Sequence, residues 1–317
     1  REEVVMTSGT TASVNLVAFS FGEAFVGEGD EVIVTEAEHH SNIVPWQMMC
    51  KRKGAVLKVL PVDESGHLRV ELLNELISDR TRIMAVTHIS NVLGLINPVG
   101  EIIELCHSRN VPVFVDGAQG AVHCKVDVQE MDCDFYAFSG HKLYAATGTG
   151  VLYGKKKWLE AMPPYMGGGE MVGTVTFAET TYAPLPMKFE AGTQNFASAA
   201  TLKQAIDFIN LLNDNELIEY NDKIRDYLLD YFQKDERIRL YGVPRGTSQE
   251  KIPLFRCKWS ASRGSCTDSR QDGYRSEVGT DVCRACNGQI RRYRNAESVR
   301  GSIQHHGGGG IFREMPE

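Results

Sequence analysis

Short β-branched runs alternate with stretches of helical apolar spacing from the start of the chain to about residue 210. The runs predict strands at Val4–Thr7, Glu31–Val34, Val56–Pro61, Ile83–His88, Val111–Val115, Asp134–Phe138 and Gly150–Tyr153. Several are apolar at successive positions, as strands covered on both faces are. Helical spacing marks Ala12–Ala24, Glu71–Ser78 and Glu101–Arg109. This alternation predicts an α/β layer sandwich with a mostly parallel sheet. Ligands of such sheets bind beyond the carboxyl ends of the strands. Asp116 and the turn Ser139-Gly140-His141-Lys142 both fall on that edge.

From Ala200 to Gln233 the pattern is helical (Leu202, Ala205, Ile206 and Ile209, then Ile224, Tyr227, Leu228 and Tyr231). It predicts a connecting helix pair, with Ile238–Tyr241 and Ile252–Phe255 as the first strands of a smaller domain. Beyond Phe255 the periodicity stops, and arginines crowd a tail with scarcely any Leu, Ile or Val. Such a segment has too little apolar surface to offset its chain entropy. The expected division is a large domain over 1–210, connecting helices and the start of a small domain over 211–255, and a non-native tail over 256–317.

Composition narrows the class. The 317 residues are 42% hydrophobic with a net charge of −7, which fits a soluble protein and offers no bias toward nucleic acid. No apolar run approaches the roughly 20 residues of a membrane helix, and no secretory leader is read. The chain opens at Arg1 in what reads as mid-domain, so an N-terminal segment is expected to be missing. Cys50, Cys106, Cys124 and Cys133 lack paired spacing, which predicts reduced thiols and a cytoplasmic setting.

A lysine just past a buried strand, flanked by Ser139 and His141, is placed to capture a carbonyl cofactor, and pyridoxal phosphate sets a list of further needs. Its phosphate needs hydroxyls and backbone N–H groups at a helix start, which Ser8-Gly9-Thr10-Thr11 offers. Its pyridine nitrogen needs a carboxylate, and Asp116 ends an apolar strand. His39 and Gln119 are candidates for the ring face and the phenolic oxygen. Lys142 needs a desolvated, partly cationic site that lowers its pKa.

Five motifs stand in order: Gly9-Thr10-Thr11, the run Glu38–Trp46 (EHHSNIVPW), Ser90-Asn91-Val92-Leu93-Gly94, Asp116-Gly117-Ala118-Gln119 and Ser139-Gly140-His141-Lys142. Together they resemble the SUF-type, or group II, cysteine desulfurases and selenocysteine lyases over roughly residues 1–255. That family lies in the class V aminotransferase group of fold type I pyridoxal-phosphate enzymes. The resemblance implies that Lys142 is the Schiff-base lysine and proton shuttle. It implies that Thr10, Thr11, Ser139 and His141 hold the phosphate, while His39 stacks on the ring. Asp116 would pair with the ring nitrogen, Gln119 would contact the phenolic oxygen, and Asn91 would bind near the substrate carboxylate. Thr193 would reach the phosphate of a partner subunit in a homodimer. The implied reaction converts L-cysteine (or L-selenocysteine) to L-alanine. Sulfur leaves as a protein persulfide for an acceptor protein of iron–sulfur cluster assembly.

The family's small domain carries an Arg for the substrate carboxylate and a nucleophilic Cys, and neither is readable after Phe255. Reading the tail one base late, with codons chosen within the code, Ala261-Ser262-Arg263-Gly264 becomes His-Pro-Glu. The same shift yields HPEDLAQILDKMGIAVRSGQMCAEPVM and then FGVTGMLRASVAAYN. We therefore expect a frameshift, with the lost thiol across Val282–Cys283, the lost Arg across Glu277–Val278, and no desulfurase activity in the chain as written. Cys283-Arg284-Ala285-Cys286, with Cys257 and Cys266, has spacings too irregular for zinc, and no metal site is expected. The rival readings are another class V activity, an aminotransferase or kynureninase-like lyase, and a non-catalytic remnant whose basic tail meets acidic partners.

Overall fold

The computed structural model describes residues 1–213, 220, 223, 224, 226, 227, 230, 234, 238–241 and 254–257. The chain divides into two units, one of Arg1–Ser90 with Ile96–Tyr220, the other of Asn91–Leu95 with Asn221–Glu317.

The first unit is built on a seven-stranded sheet. Its strands are β1 (Val4–Thr7), β2 (Glu31–Thr35), β3 (Val56–Leu60), β4 (Thr81–Thr87), β5 (Val113–Asp116), β6 (Phe135–Ser139) and β7 (Gly150–Gly154), in the order β1-β7-β6-β5-β4-β2-β3. β7 runs antiparallel to both β1 and β6, and the other pairs are parallel. All strands but β7 therefore end on one edge.

The apolar runs are continuous because alternate residues feed opposite faces of the sheet. Val32, Val34, Ile83, Ala85, Phe114, Phe135 and Ala137 join one buried cluster, which also holds Val14, Val17 and Phe21 of α1 (Thr10–Phe25) and Trp46 and Met49 of α2 (Val44–Lys53). Ile33, Met84, Val86, Val113, Val115 and Tyr136 join the other. That second cluster also holds Leu73 of α3 (Leu73–Leu76) and Ile102, Ile103 and Cys106 of α4 (Val99–Ser108). The remaining elements of this unit are α5 (Gly120–His123), α6 (Val128–Met131), α7 (Lys156–Ala161), the hairpin β8 (Val172–Val175) and β9 (Thr180–Tyr182), and α8 (Phe196–Asn213). In the second unit β10 (Ile238–Tyr241) pairs antiparallel with β11 (Leu254–Cys257).

Each predicted strand exists, with bounds moved by up to two residues. Val111–Val115 shifts to β5 because Pro112 has no N–H to give the ladder; its carbonyl instead accepts from Met84 N at 3.0 Å. The expected helix Glu71–Ser78 is a 3₁₀ turn, Val70–Leu72, followed by the single turn α3, and Ile77 is already extended. The predicted helix from Ala200 starts earlier, at Phe196. Of its expected continuation, Tyr220, Lys223, Ile224, Asp226, Tyr227 and Asp230 are helical. The tail beyond Cys257, with its proposed frameshift, lies outside the described residues. No helix among the described residues is long and apolar enough to cross a membrane.

Candidate active site

The carboxyl edge carries Thr10, Thr11, His39, Asp116, Gln119, Ser139, His141 and Lys142 through the ends of β1, β2, β5 and β6. β1 is followed by Ser8-Gly9 and the start of α1. Gly9 sits at φ 143°, a conformation side-chain-bearing residues rarely adopt, and a Cβ there would lie 3.0 Å from Ser139 Oγ. The close approach lets Ser139, the last residue of β6, reach across: Thr10 N donates to its Oγ at 2.8 Å, and the Thr10 and Ser139 hydroxyls lie 2.9 Å apart. Thr10 and Ser139 are buried, whereas Thr11 and His141 are exposed on the same edge. The hydroxyl-rich start of α1 is thus latched to the end of β6, an arrangement suited to an anionic group.

Lys142 is half-buried in the 3₁₀ turn Gly140–Leu143, which Tyr144 closes in the left-handed region at φ 65°. Asp116 ends β5 next to β6 and is 2% exposed. Its Oδ1 accepts from Ala118 N at 2.9 Å. Burial pushes its pKa up to about 6, against that hydrogen bond and the positive charge of Lys142. Asp116 is thus a desolvated anion whose cationic neighbour is the lysine itself.

Gln119 is buried one residue before α5. The turn that carries it rests on Tyr136 and His88: a Cβ on Gly117 would overlap the Tyr136 ring at 2.1 Å. His88 Nδ1 lies 3.2 Å from Tyr136 Oη, and burial pushes the His88 pKa down to about 4, so the ring is neutral. His39, half-buried after β2, accepts from Ser41 N on Nδ1 at 3.1 Å, with Ser41 Oγ at 2.7 Å. The ring proton therefore sits on Nε2. Thr193 is exposed, three residues after Glu190, whose buried carboxylate accepts from Met6 N at 2.8 Å. Asn91 is half-buried and belongs to the second unit.

Sequence reasoning passed over two groups of this edge. The His88–Tyr136 floor carries no motif. Glu38 has no role assigned by the EHHSNIVPW motif, although it is 3% exposed and burial pushes its pKa up to about 8. For His88 and Glu38 the signal is position alone, just past the ends of β4 and β2; Tyr136, inside β6, has none. Three buried cysteines are not activated thiols: burial raises Cys50 to about 11 and Cys106 and Cys133 to about 12. No cluster of metal-ligating side chains occurs among the described residues.

A parallel sheet with one reversed strand, bearing its polar groups along a single edge, is the architecture of the fold type I pyridoxal-phosphate-dependent transferases. The chain belongs to the class-V aminotransferase family, whose sequence model matches residues 1–262. It is 49% identical over 242 residues to a cysteine desulfurase of Cronobacter sakazakii, covering 76% of this chain and 60% of that protein. A probable cysteine desulfurase of Halalkalibacterium halodurans is 48% identical over 241 residues, covering 76% and 59%. The chain thus spans about 60% of the length of these curated relatives. Among solved structures, the cysteine desulfurase CsdA of Escherichia coli superposes with a TM-score of 0.74 at 41% identity, covering 81% of this chain and 63% of that one. The apo cysteine desulfurase of Thermococcus onnurineus gives 0.75 at 30% identity, covering 86% and 67%.

Proposed function

We propose that the carboxyl-edge site takes pyridoxal 5′-phosphate and that its activity is cysteine desulfuration: L-cysteine to L-alanine, with the sulfur passed on for iron–sulfur cluster assembly. The observation that carries the cofactor reading is the placing of a buried Asp116, hydrogen-bonded among the described residues by Ala118 N, beside the charge of Lys142 on one edge. The choice of desulfurase within the family rests on 49% identity to a cysteine desulfurase. The donor set fits the cofactor. Thr10, Thr11, Ser139 and His141 supply donors for a phosphate beside the Gly9 turn. Asp116 keeps a ring nitrogen protonated, His39 covers a ring face, and Gln119 meets the phenolic oxygen.

When bound, the cofactor supplies an electron sink for the pair left as the substrate α-proton departs. Lys142 Nζ is the group that holds the cofactor and then carries that proton. Asn91 orients the substrate carboxylate end, and Thr193 reaches the phosphate of a partner subunit in a homodimer. A protein thiolate takes the substrate sulfur as a persulfide, which an acceptor protein removes. Cys50, Cys106 and Cys133, with their raised pKa values, are not that thiolate. The frameshift reading puts it across Val282–Cys283, and the family match ending at residue 262 supports a change of text near there. The setting is cytoplasmic.

The test is product analysis with cysteine and added cofactor, on the chain as written and on the chain with the frame restored near residue 256. The restored chain releases alanine and forms a persulfide; the chain as written does neither. Formation of a keto acid instead of alanine assigns the site to an aminotransferase. Cysteine-dependent turnover by the chain as written overturns the frameshift.

A further inference from the structure

Glu38 lies just past β2, immediately before His39, and its carboxyl group is held from three directions. Oε1 lies 2.6 Å from Oγ1 of Thr35, the last residue of β2, and accepts at 2.8 Å from N of Thr87, the last residue of β4. Oε2 accepts from Asn42 Nδ2 at 2.6 Å. Asn42 Oδ1 in turn accepts from Trp46 Nε1 at 3.0 Å. Thr35, Asn42, Trp46 and Thr87 are all at most 5% exposed. The Trp46 ring packs edge-on against Phe114 of β5 at 5.9 Å between centroids, two residues before Asp116. Asp116 is also the charged group that acts on Glu38 through space.

We propose that Glu38 is a positioning residue of the cofactor site: its carboxyl group fixes the turn that presents His39 and ties that turn to the Asp116 strand. The inference rests on the pyridoxal phosphate reading above. Its polarity is determined by the partners. The Trp46 indole N–H can only donate, so the Asn42 carbonyl faces it and the Asn42 amide must donate toward Glu38. Thr87 N can only donate as well. Both oxygens of residue 38 therefore meet a fixed donor, and a side chain of the same shape with an NH₂ group sets donor against donor in either orientation. The network tolerates Glu there and rejects Gln. Exchanging the two polarities, Glu38→Gln with Asn42→Asp, restores every hydrogen bond. The carboxylate then at position 42 accepts from both Trp46 and the new amide at position 38. The carbonyl of that amide accepts from Thr87 N.

The experiment titrates pyridoxal phosphate into the full chain, reading affinity from tryptophan fluorescence and, at saturation, the visible circular dichroism per bound cofactor. The second readout reports how the bound ring is held, and a general loss of stability does not move it. E38Q is expected to bind about tenfold more weakly, the cost of one buried unsatisfied donor, with a smaller ellipticity per bound cofactor. E38Q/N42D is expected to regain both. Wild-type affinity and ellipticity in E38Q, or a double variant no better than E38Q, overturns the proposal. Should E38Q not be recovered as soluble protein, Thr35→Val carries the test, with a few-fold weaker affinity and the same change of ellipticity expected; an unaltered T35V overturns it. A wild-type chain that shows no visible cofactor band defeats the underlying reading as well, an outcome distinct from wild-type binding that E38Q leaves untouched.

Discussion

Two buried carboxylates sit at opposite ends of the same sheet, and their surroundings differ. Asp134, at the amino end of β6, is 1% exposed and saturated with donors. His107 Nε2 lies at 2.7 Å, Val113 N at 2.9 Å and Trp158 Nε1 at 2.7 Å, with the ammonium groups of Lys155 and Lys157 at 3.6 and 3.7 Å. Asp116, at the carboxyl end of β5, is 2% exposed with one backbone donor and the charge of Lys142. A buried charge is tolerated when its partners replace water. Asp134 has those partners within the fold and acts as a clamp joining β5, β6, α4 and α7. Among the described residues Asp116 has few, as the proposed role of a group completed by a ligand requires.

Removing each carboxylate should separate the two roles. Asp134→Ala strands the donors of His107, Val113 and Trp158, and should cost about 3–5 kcal/mol in urea unfolding. Asp116→Asn keeps the shape and removes a charge the fold does not fully compensate. Its unfolding free energy should stay level or rise, while pyridoxal phosphate affinity falls roughly 10–100-fold, the range of a hydrogen bond to a charged group. A D116N chain as unstable as D134A would erase the contrast.

The pH dependence sharpens the same point. Burial raises the Asp116 pKa to about 6. A carboxyl raised on folding contributes stability that is full below its ordinary value near 4 and is lost as pH climbs through 6. In the cofactor-free chain, D116N should therefore gain on wild type between pH 4 and 7, by about 2–3 kcal/mol. Cofactor affinity of the wild type should rise over the same interval as Asp116 ionises. Parallel unfolding curves for both proteins across that window would place Asp116 in a solvated setting. The smallest effect expected is that of Ser139→Ala, which releases the Thr10 latch at a cost of about 1 kcal/mol in stability.

The sheet was legible in the sequence because its strands are covered on both faces, so the apolar runs announce themselves. The edge positions of Asp116 and Ser139 followed from that. Helix α2 was passed over although Pro45 sits in its first turn, Lys51, Arg52 and Lys53 fill its last, and Gly54 caps it at φ 68°. The β8–β9 hairpin was illegible because most of its side chains are exposed, so no alternation between core and solvent is written into it. Glu38 shows the limit most clearly. Its donors come from residues 35, 42 and 87, and no local pattern carries a contact between residues 38 and 87.

In the proposed function Lys142 holds pyridoxal phosphate at this edge. The direct measurement is borohydride reduction of the chain with pyridoxal phosphate, followed by peptide mapping by mass spectrometry. One modified site, Lys142, is expected, with no specific label in Lys142→Ala. Label spread over surface lysines, with Lys142 no more modified than the rest, would contradict it.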